Sequence, residues 1–205
     1  MHTSITKTLK LVTLLLVLVC SFNGKVWASI QTPNITFSIS SHTYGSGSFT
    51  LSATSNSSGV LSFTSGDNSI ATCTGTNGAT CNLIGVGTVT ITVHQASATG
   101  FLATTKTAQL TILAQAPSLG SFSIAPHTYG DAPFTVTAPT SNSTGAITFS
   151  SANTSVATVN STSGLVTILA AGSSVITASQ AAYGNFSTGT KVATLTVYQL
   201  SLIHI

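Results

Sequence analysis

Few residues of this 205-residue chain are equipped for chemistry. Asp67 and Asp131 are its only side-chain carboxylates, and Cys20, Cys73 and Cys81 its only thiols. His42, His94 and His127 are its internal histidines, with His2 and His204 near the ends. A glycosidase or a metal-dependent hydrolase needs convergent carboxylates or ligands, and two aspartates far apart in the chain do not supply them. No Gly-x-Ser-x-Gly elbow occurs among the many serines, and no acid is placed to orient a histidine. Cys73 and Cys81, with no nearby histidine or third cysteine, would make an incomplete zinc site. The expectation is no catalytic residue, no metal site and no cofactor.

Whatever positions these residues does so twice. His42-Thr43-Tyr44-Gly45 returns as His127-Thr128-Tyr129-Gly130, Thr54-Ser55-Asn56-Ser57 as Thr140-Ser141-Asn142-Ser143, and Gln95-Ala96 as Gln180-Ala181. The spacing is roughly 85 residues, slipping by one at Pro139 and recovering before Gly172. A residue present in both copies is more simply explained by the fold than by a unique site, so His42 and His127 read as turn-packing residues. Phe37, Phe49, Phe63 and Phe101 pair with Phe122, Phe134, Phe149 and Phe186 and read as core. In this register Asp67 aligns with Ala152, Asp131 sits in a turn, and His94 faces Ser179. Tyr183 and Tyr198 lack counterparts, too few for a sugar-stacking platform. Lys106 and Lys191 recur at the start of a strand, without a buried carboxylate beside either to promote an isopeptide bond; they read as snorkelling lysines.

The N-terminus sets the compartment. Lys7 and Lys10 precede the apolar run Leu11 to Val19, and Val26-Trp27-Ala28 ends in a small residue. Residues 1–28 are expected to be a cleaved signal peptide, because the apolar run is shorter than the about 20 residues of a membrane span. Bulky Val19 argues against lipoprotein processing at Cys20. Removing the leader leaves Lys106 and Lys191 against Asp67 and Asp131, a formal charge of zero. With no arginine and no basic cluster, nucleic acid is excluded as a partner. Composition is 42% hydrophobic and 3% charged, which is not the signature of disorder. The expected location is secreted or at the cell surface, with no membrane span in the mature chain.

The elements that hold these residues are short strands. Ile35, Phe37 and Ile39, like Val89, Ile91 and Val93, alternate with Ser or Thr, the period of half-buried strands. About seven strands in some 80 residues indicate a β-sandwich per copy. The copies are expected at residues 29–114 and 115–199, joined through Ala114-Gln115-Ala116-Pro117-Ser118, a link that Pro117 stiffens. End-to-end stacking into a semi-rigid rod follows. In an exported protein Cys73 and Cys81 are expected to form a disulfide. A three-residue loop with Gly78 left-handed would set them directly opposite each other, where the second copy has Val159 and Val166.

At Tyr129-Gly130-Asp131-Ala132-Pro133-Phe134, Ser155-Val156-Ala157-Thr158-Val159, Ala171-Gly172 and Ala193-Thr194-Leu195-Thr196-Val197 the chain resembles the bacterial immunoglobulin-like repeat families of exported and cell-surface proteins. The first copy departs from the pattern with Ser46-Gly47-Ser48 for Asp-Ala-Pro. The resemblance implies an all-β chain of two tandem immunoglobulin-like sandwiches. It also implies a non-catalytic spacer or adhesin-stalk module, or else an accessory module that binds a carbohydrate or protein partner through loops at one end. Sequons stand at Asn34, Asn56, Asn142, Asn153, Asn160 and Asn185. Residues 200–205 match nothing in the first copy and resemble a translated sequencing adapter, so the expectation is that further repeats or another module follow in the full-length protein.

Overall fold

The computed structural model describes residues 29–200; the expected leader and residues 201–205 lie outside the described residues. The first copy forms nine strands: β1 (Ile35–Thr36), β2 (His42–Thr43), β3 (Phe49–Leu51), β4 (Thr54–Ser55), β5 (Leu61–Ser65), β6 (Ala71–Thr74), β7 (Ala79–Leu83), β8 (Gly87–Gln95) and β9 (Thr104–Leu113). The second forms seven: β10 (His127–Thr128), β11 (Phe134–Thr135), β12 (Ile147–Ser151), β13 (Ala157–Val159), β14 (Leu165–Ile168), β15 (Gly172–Gln180) and β16 (Gly189–Tyr198). The difference lies in one pairing. β1 and β4 form a short antiparallel ladder, which narrows in the second copy to a single bridge between Leu119 and Ser141.

Each copy is two packed sheets. The larger has the order β2-β9-β8-β5 in the first copy and β10-β16-β15-β12 in the second. In both, a short edge strand runs parallel to its long neighbour, His42 against Ile112 and His127 against Val197. The facing sheets are β3-β7-β6 and β11-β14-β13. Successive side chains of a strand point to opposite faces, so β8 buries Val89, Ile91, Val93 and Gln95 and turns Thr88, Thr90, Thr92 and His94 outward. The two cores are separate clusters, one centred on Ile91, Leu110 and Ile112, the other on Ile176, Leu195 and Val197. Burying each such aliphatic side chain contributes about 1.5–3 kcal/mol. Phe37 with Phe63, and Phe122 with Phe149, form matching tilted aromatic pairs, centroids 5.7 and 6.1 Å apart.

Each core holds one large polar group. Gln95 and Gln180 are 2% and 3% exposed. Gln95 Nε2 donates to the carbonyls of Ser57 and Gly59, and its Oε1 accepts from the Ser55 hydroxyl at 2.6 Å. Gln180 repeats this with Ser143, Gly145 and Ser141. A buried amide is tolerated only with its bonds made, and these bonds pin the loop that leads into β5 or β12. The close approach excludes a side chain beyond glycine: a Cβ on Gly59 or Gly145 would collide with the carbonyl of Ala96 or Ala181.

The cysteine hairpin has the expected register. Cys73 pairs with Cys81 and Thr74 with Thr80, the two cysteines are joined by a disulfide, and Val159 pairs with Val166 in the second copy. The loop itself differs from expectation. Its left-handed residue is Asn77, at φ 54°, while Gly75 and Gly78 take φ 137° and 155°. The reason is a long-range tether: Asn77 N–H donates to the Leu61 carbonyl, and Asn77 Oδ1 accepts from Leu61 N–H. The tip is thereby folded onto β5 of the other sheet.

Candidate functional site

The side chains that the sequence singles out are dispersed over turns and strand faces. His42 stacks on Phe49 and His127 on Phe134, each with centroids 3.8 Å apart. Both histidines therefore pack a turn, as their recurrence suggests, and Phe49 and Phe134 are half-buried beneath them rather than deep in the core. His94 Nε2 lies 2.9 Å from the Thr64 hydroxyl on the outer sheet face. Lys106 and Lys191 are exposed. Tyr183 and Tyr198 stand at opposite ends of the β15–β16 hairpin, so they make no shared platform.

The two aspartates hold backbone. Asp131 Oδ2 accepts from Thr128 N–H at 2.9 Å and lies 3.2 Å from His127 Nδ1. The Thr128 bond foremost lowers its pKa. Asp67 Oδ1 accepts from the Ser69 hydroxyl and N–H, and these bonds lower its pKa in the same way. The structural counterpart of Asp67 is Asn153, not Ala152 as the 85-residue spacing implies. Asn153 makes the same pair of bonds to Ser155, and the carbonyls of Asp67 and Asn153 each accept the two following N–H groups of the turn, from Ile70 and Ala71 or from Val156 and Ala157. An amide oxygen thus does in one copy what a carboxylate does in the other. Among the described residues, no group of three or more His, Cys, Asp or Glu is placed to hold a metal ion.

What the fold does build is a junction between the copies. Gln115 pairs in a parallel bridge with Phe186, its N–H donating to the Asn185 carbonyl and its carbonyl accepting from Ser187 N–H. Gln31 makes the same pairing with Phe101 in the first copy, so residue 115 is both linker and first strand contact of the second sandwich. From this anchored loop Asn185 reaches back: its Oδ1 accepts from Val86 N–H at 2.9 Å, and its Nδ2 lies 3.5 Å from the Ile84 carbonyl. Phe186 meets Tyr44 edge to face, centroids 6.2 Å apart, a favoured aromatic geometry. The Gln115 side chain covers Gly45 so closely that a Cβ there would sit 2.5 Å from its Oε1.

Beside this junction Tyr44, Gly45, Gly47, Ser48, Asn82 and Leu83 line an open groove of about 310 Å³. It lies where the first copy departs from the second, Ser46-Gly47-Ser48 standing for Asp131-Ala132-Pro133. Sequence reasoning missed the junction residues and the buried glutamines. Asn185 presents itself as a sequon, and Gln95 and Gln180 carry no signal beyond their recurrence.

A family profile described as the intimin immunoglobulin-like domain matches residues 135–182, from β11 to the turn after β15. Comparison with curated proteins finds no match. Similar solved structures include the titin domains z1z2 in complex with telethonin, at 15% identity over 83% of this chain and 98% of that one, TM-score 0.43. Drosophila N-cadherin EC1-4 matches at 13% identity over 84% of this chain, TM-score 0.37, and this chain spans 50% of it. The C-terminal 282-residue fragment of intimin, in complex with the translocated intimin receptor's intimin-binding domain, matches at 15% identity over 83% and 64% of the two chains, TM-score 0.35. No helix among the described residues is long and apolar enough to cross a membrane. The chain is thus a tandem of two β-sandwiches of one topology, and the match to the intimin immunoglobulin-like domain falls inside the second.

Proposed function

We propose that the chain is a non-catalytic spacer from the exterior of a cell: two immunoglobulin-like units, bounded at residues 29–114 and 115–199, held in fixed relation within a surface or secreted protein. Immunoglobulin-like families are generally non-enzymatic, and the intimin-domain match points to the surface setting. The observation that carries the reading is the Asn185 clamp. A side-chain amide bonded to two backbone groups of the other copy, with Phe186 against Tyr44, resists bending in a way that a bare linker cannot. A spacer works by geometry, so stiffness at the joint is its active property.

Spin labels at Thr64→Cys and Thr148→Cys, both exposed on matching strands, measure the joint directly. A single narrow distance distribution is expected, broadening in Asn185→Gly and Tyr44→Ala. A distribution already broad in the native chain would defeat the spacer reading.

A second reading rests on the groove at Tyr44, Ser48 and Asn82. An aromatic ring, a hydroxyl and an amide without nearby charge suit a neutral glycan, and Ser48 stands where the second copy has Pro133, so the hydroxyl is particular to the first copy. Binding on a glycan array that disappears in Asn82→Ala would establish this reading; an inert array leaves the spacer.

A further inference from the structure

The junction is head to tail: the turn and loops at one end of the first sandwich receive the hairpin tip of the second. The receiving half recurs at the far end of the second sandwich. Tyr129 stands for Tyr44, each donating its N–H at 2.8 Å to the end of the last strand, Tyr198 or Leu113. Leu169 and Ala170 stand for Ile84 and Gly85, their N–H groups bonded to the Val156 carbonyl as the others are to Ile70. Gly172 at φ 141° stands for Gly87 at φ 148°, which makes Ala171 the counterpart of Val86. The two surfaces differ in cover. Tyr44 is half-buried, whereas Tyr129 is 48% exposed; the flanking pairs Ile84 and Leu169, and Leu113 and Tyr198, are exposed alike in both copies. Gly45 lies under Gln115, while a Cβ on Gly130 would meet nothing within 4 Å. Among the described residues, the Ala171 amide has no hydrogen-bond partner.

The giving half is not shared in the same way. Where the second copy has Gly184-Asn185-Phe186, the first has Thr99-Gly100-Phe101. The positive φ moves from Gly184, at 56°, to Gly100, at 79°, and Gly100 has no side-chain amide to offer.

We propose that the Tyr129, Leu169 and Ala171 face is the docking surface for a further immunoglobulin-like repeat that presents an Asn-Phe hairpin tip, and that the array grows by this joint in one direction only. An uncovered copy of a surface already covered in the same molecule identifies its occupant by the chemistry of the cover: an amide for the Ala171 N–H and Leu169 carbonyl, and an aromatic ring for Tyr129. Such heterologous contacts propagate as open arrays. The inference rests on the spacer reading, since it takes the observed joint as the template.

The test is amide exchange in two chains, the native protein and one in which a second copy of residues 115–199 follows Gln199. In the native chain the Val86 amide is expected to exchange about tenfold more slowly than that of Ala171, the worth of roughly one net hydrogen bond. In the extended chain Ala171 should slow by a similar factor, and Asn185→Gly in the appended copy alone should reverse it. If Ala171 is unchanged while the appended copies of Ile176 and Leu195 are protected, the third unit is folded but undocked; the inference is then wrong and the spacer reading survives. If Val86 exchanges as fast as Ala171 in the native chain, both fall together.

Discussion

Tyr44 and Tyr129 occupy the same turn of the same fold, yet one is half-buried and the other 48% exposed. The same contrast runs through the molecule: Cys73 and Cys81 against Val159 and Val166, Asp67 against Asn153, Ser46 against Asp131, Gly100 against Asn185. Where the copies agree, the residue serves the sandwich. Where they differ, either an equivalent physical job is done by other atoms, or the residue serves something outside its own sandwich. Asp67 and Asn153 are the first kind, and Asn185 is the second.

The comparison requires that the two cores be energetically separate, which core truncation tests with the largest effect. Leu110→Ala and Leu195→Ala remove equivalent, fully buried side chains, each costing about 2–5 kcal/mol. Each should lower only its own unfolding transition, followed by exchange of core amides in both copies. A single merged transition that shifts equally in both variants would mean that the joint couples the sandwiches into one cooperative unit.

The disulfide comes next. In the chain-entropy account, closing so short a loop contributes about 2.5 kcal/mol to the first sandwich. Reduction should therefore lower its transition by about 10 °C or more, at 4–8 °C per kcal/mol for a domain of this size, and leave the second unmoved. Replacing both cysteines by valine copies the natural pair at Val159 and Val166. It should recover the packing but not the cross-link, giving a stability near that of the reduced protein. Recovery of full oxidised stability would show that the bridge adds nothing beyond packing.

Gln95→Ala and Gln180→Ala should follow, at about 1–3 kcal/mol each, because two carbonyls and a hydroxyl lose their buried partner. The cost should fall on the sandwich that carries the change, visible as faster exchange at the Leu61 or Ile147 end of its edge strand. An unchanged midpoint would show that water replaces the amide without loss.

These residues also mark how far the chain could be read unaided. The duplication, the strand periodicity, the Phe37, Phe63, Phe122 and Phe149 core and the opposed cysteines all follow from local spacing, and local spacing is printed in a sequence. Asn185 meets Ile84 and Val86 about a hundred residues away, and nothing near it announces the contact. Two more sequons are of this kind, Asn56 and Asn142, which accept from the Asn34 and Ser118 N–H groups ahead of β1 and β10, whereas Asn153 and Asn160 close turns with residues two or three positions on. Gln95 and Gln180 are hidden for the complementary reason, since a polar residue in a Ser- and Thr-rich chain reads as surface until its partners are seen. The Ala152 alignment failed because the register shift at Pro139 still applies at Asp67 and is recovered only in the cysteine loop and its counterpart, where the second copy is one residue shorter between its paired positions.

The smallest effect expected is the acid response, and it separates the two kinds of difference. Asp67 and Asp131 each have a pKa lowered by the bonds they accept. A carboxylate whose folded pKa lies below its unfolded value, about 3.9, adds stability that is present above that value and lost as pH falls through the folded pKa. Both transitions should therefore weaken only below about pH 4. Asp67→Asn should remove that response from the first sandwich while leaving its stability at neutral pH nearly unchanged, because in the second copy the Asn153 amide oxygen accepts the same two bonds from Ser155, at 2.6 Å from the hydroxyl and 3.3 Å from the N–H. Asp131→Ser, which copies Ser46, should remove the acid response from the second sandwich but also lower its neutral-pH midpoint slightly, because Thr128 N–H then loses its acceptor. If Asp67→Asn instead lowers the neutral-pH midpoint, the charge matters to that turn, and the equivalence of Asp67 with Asn153 is only geometric.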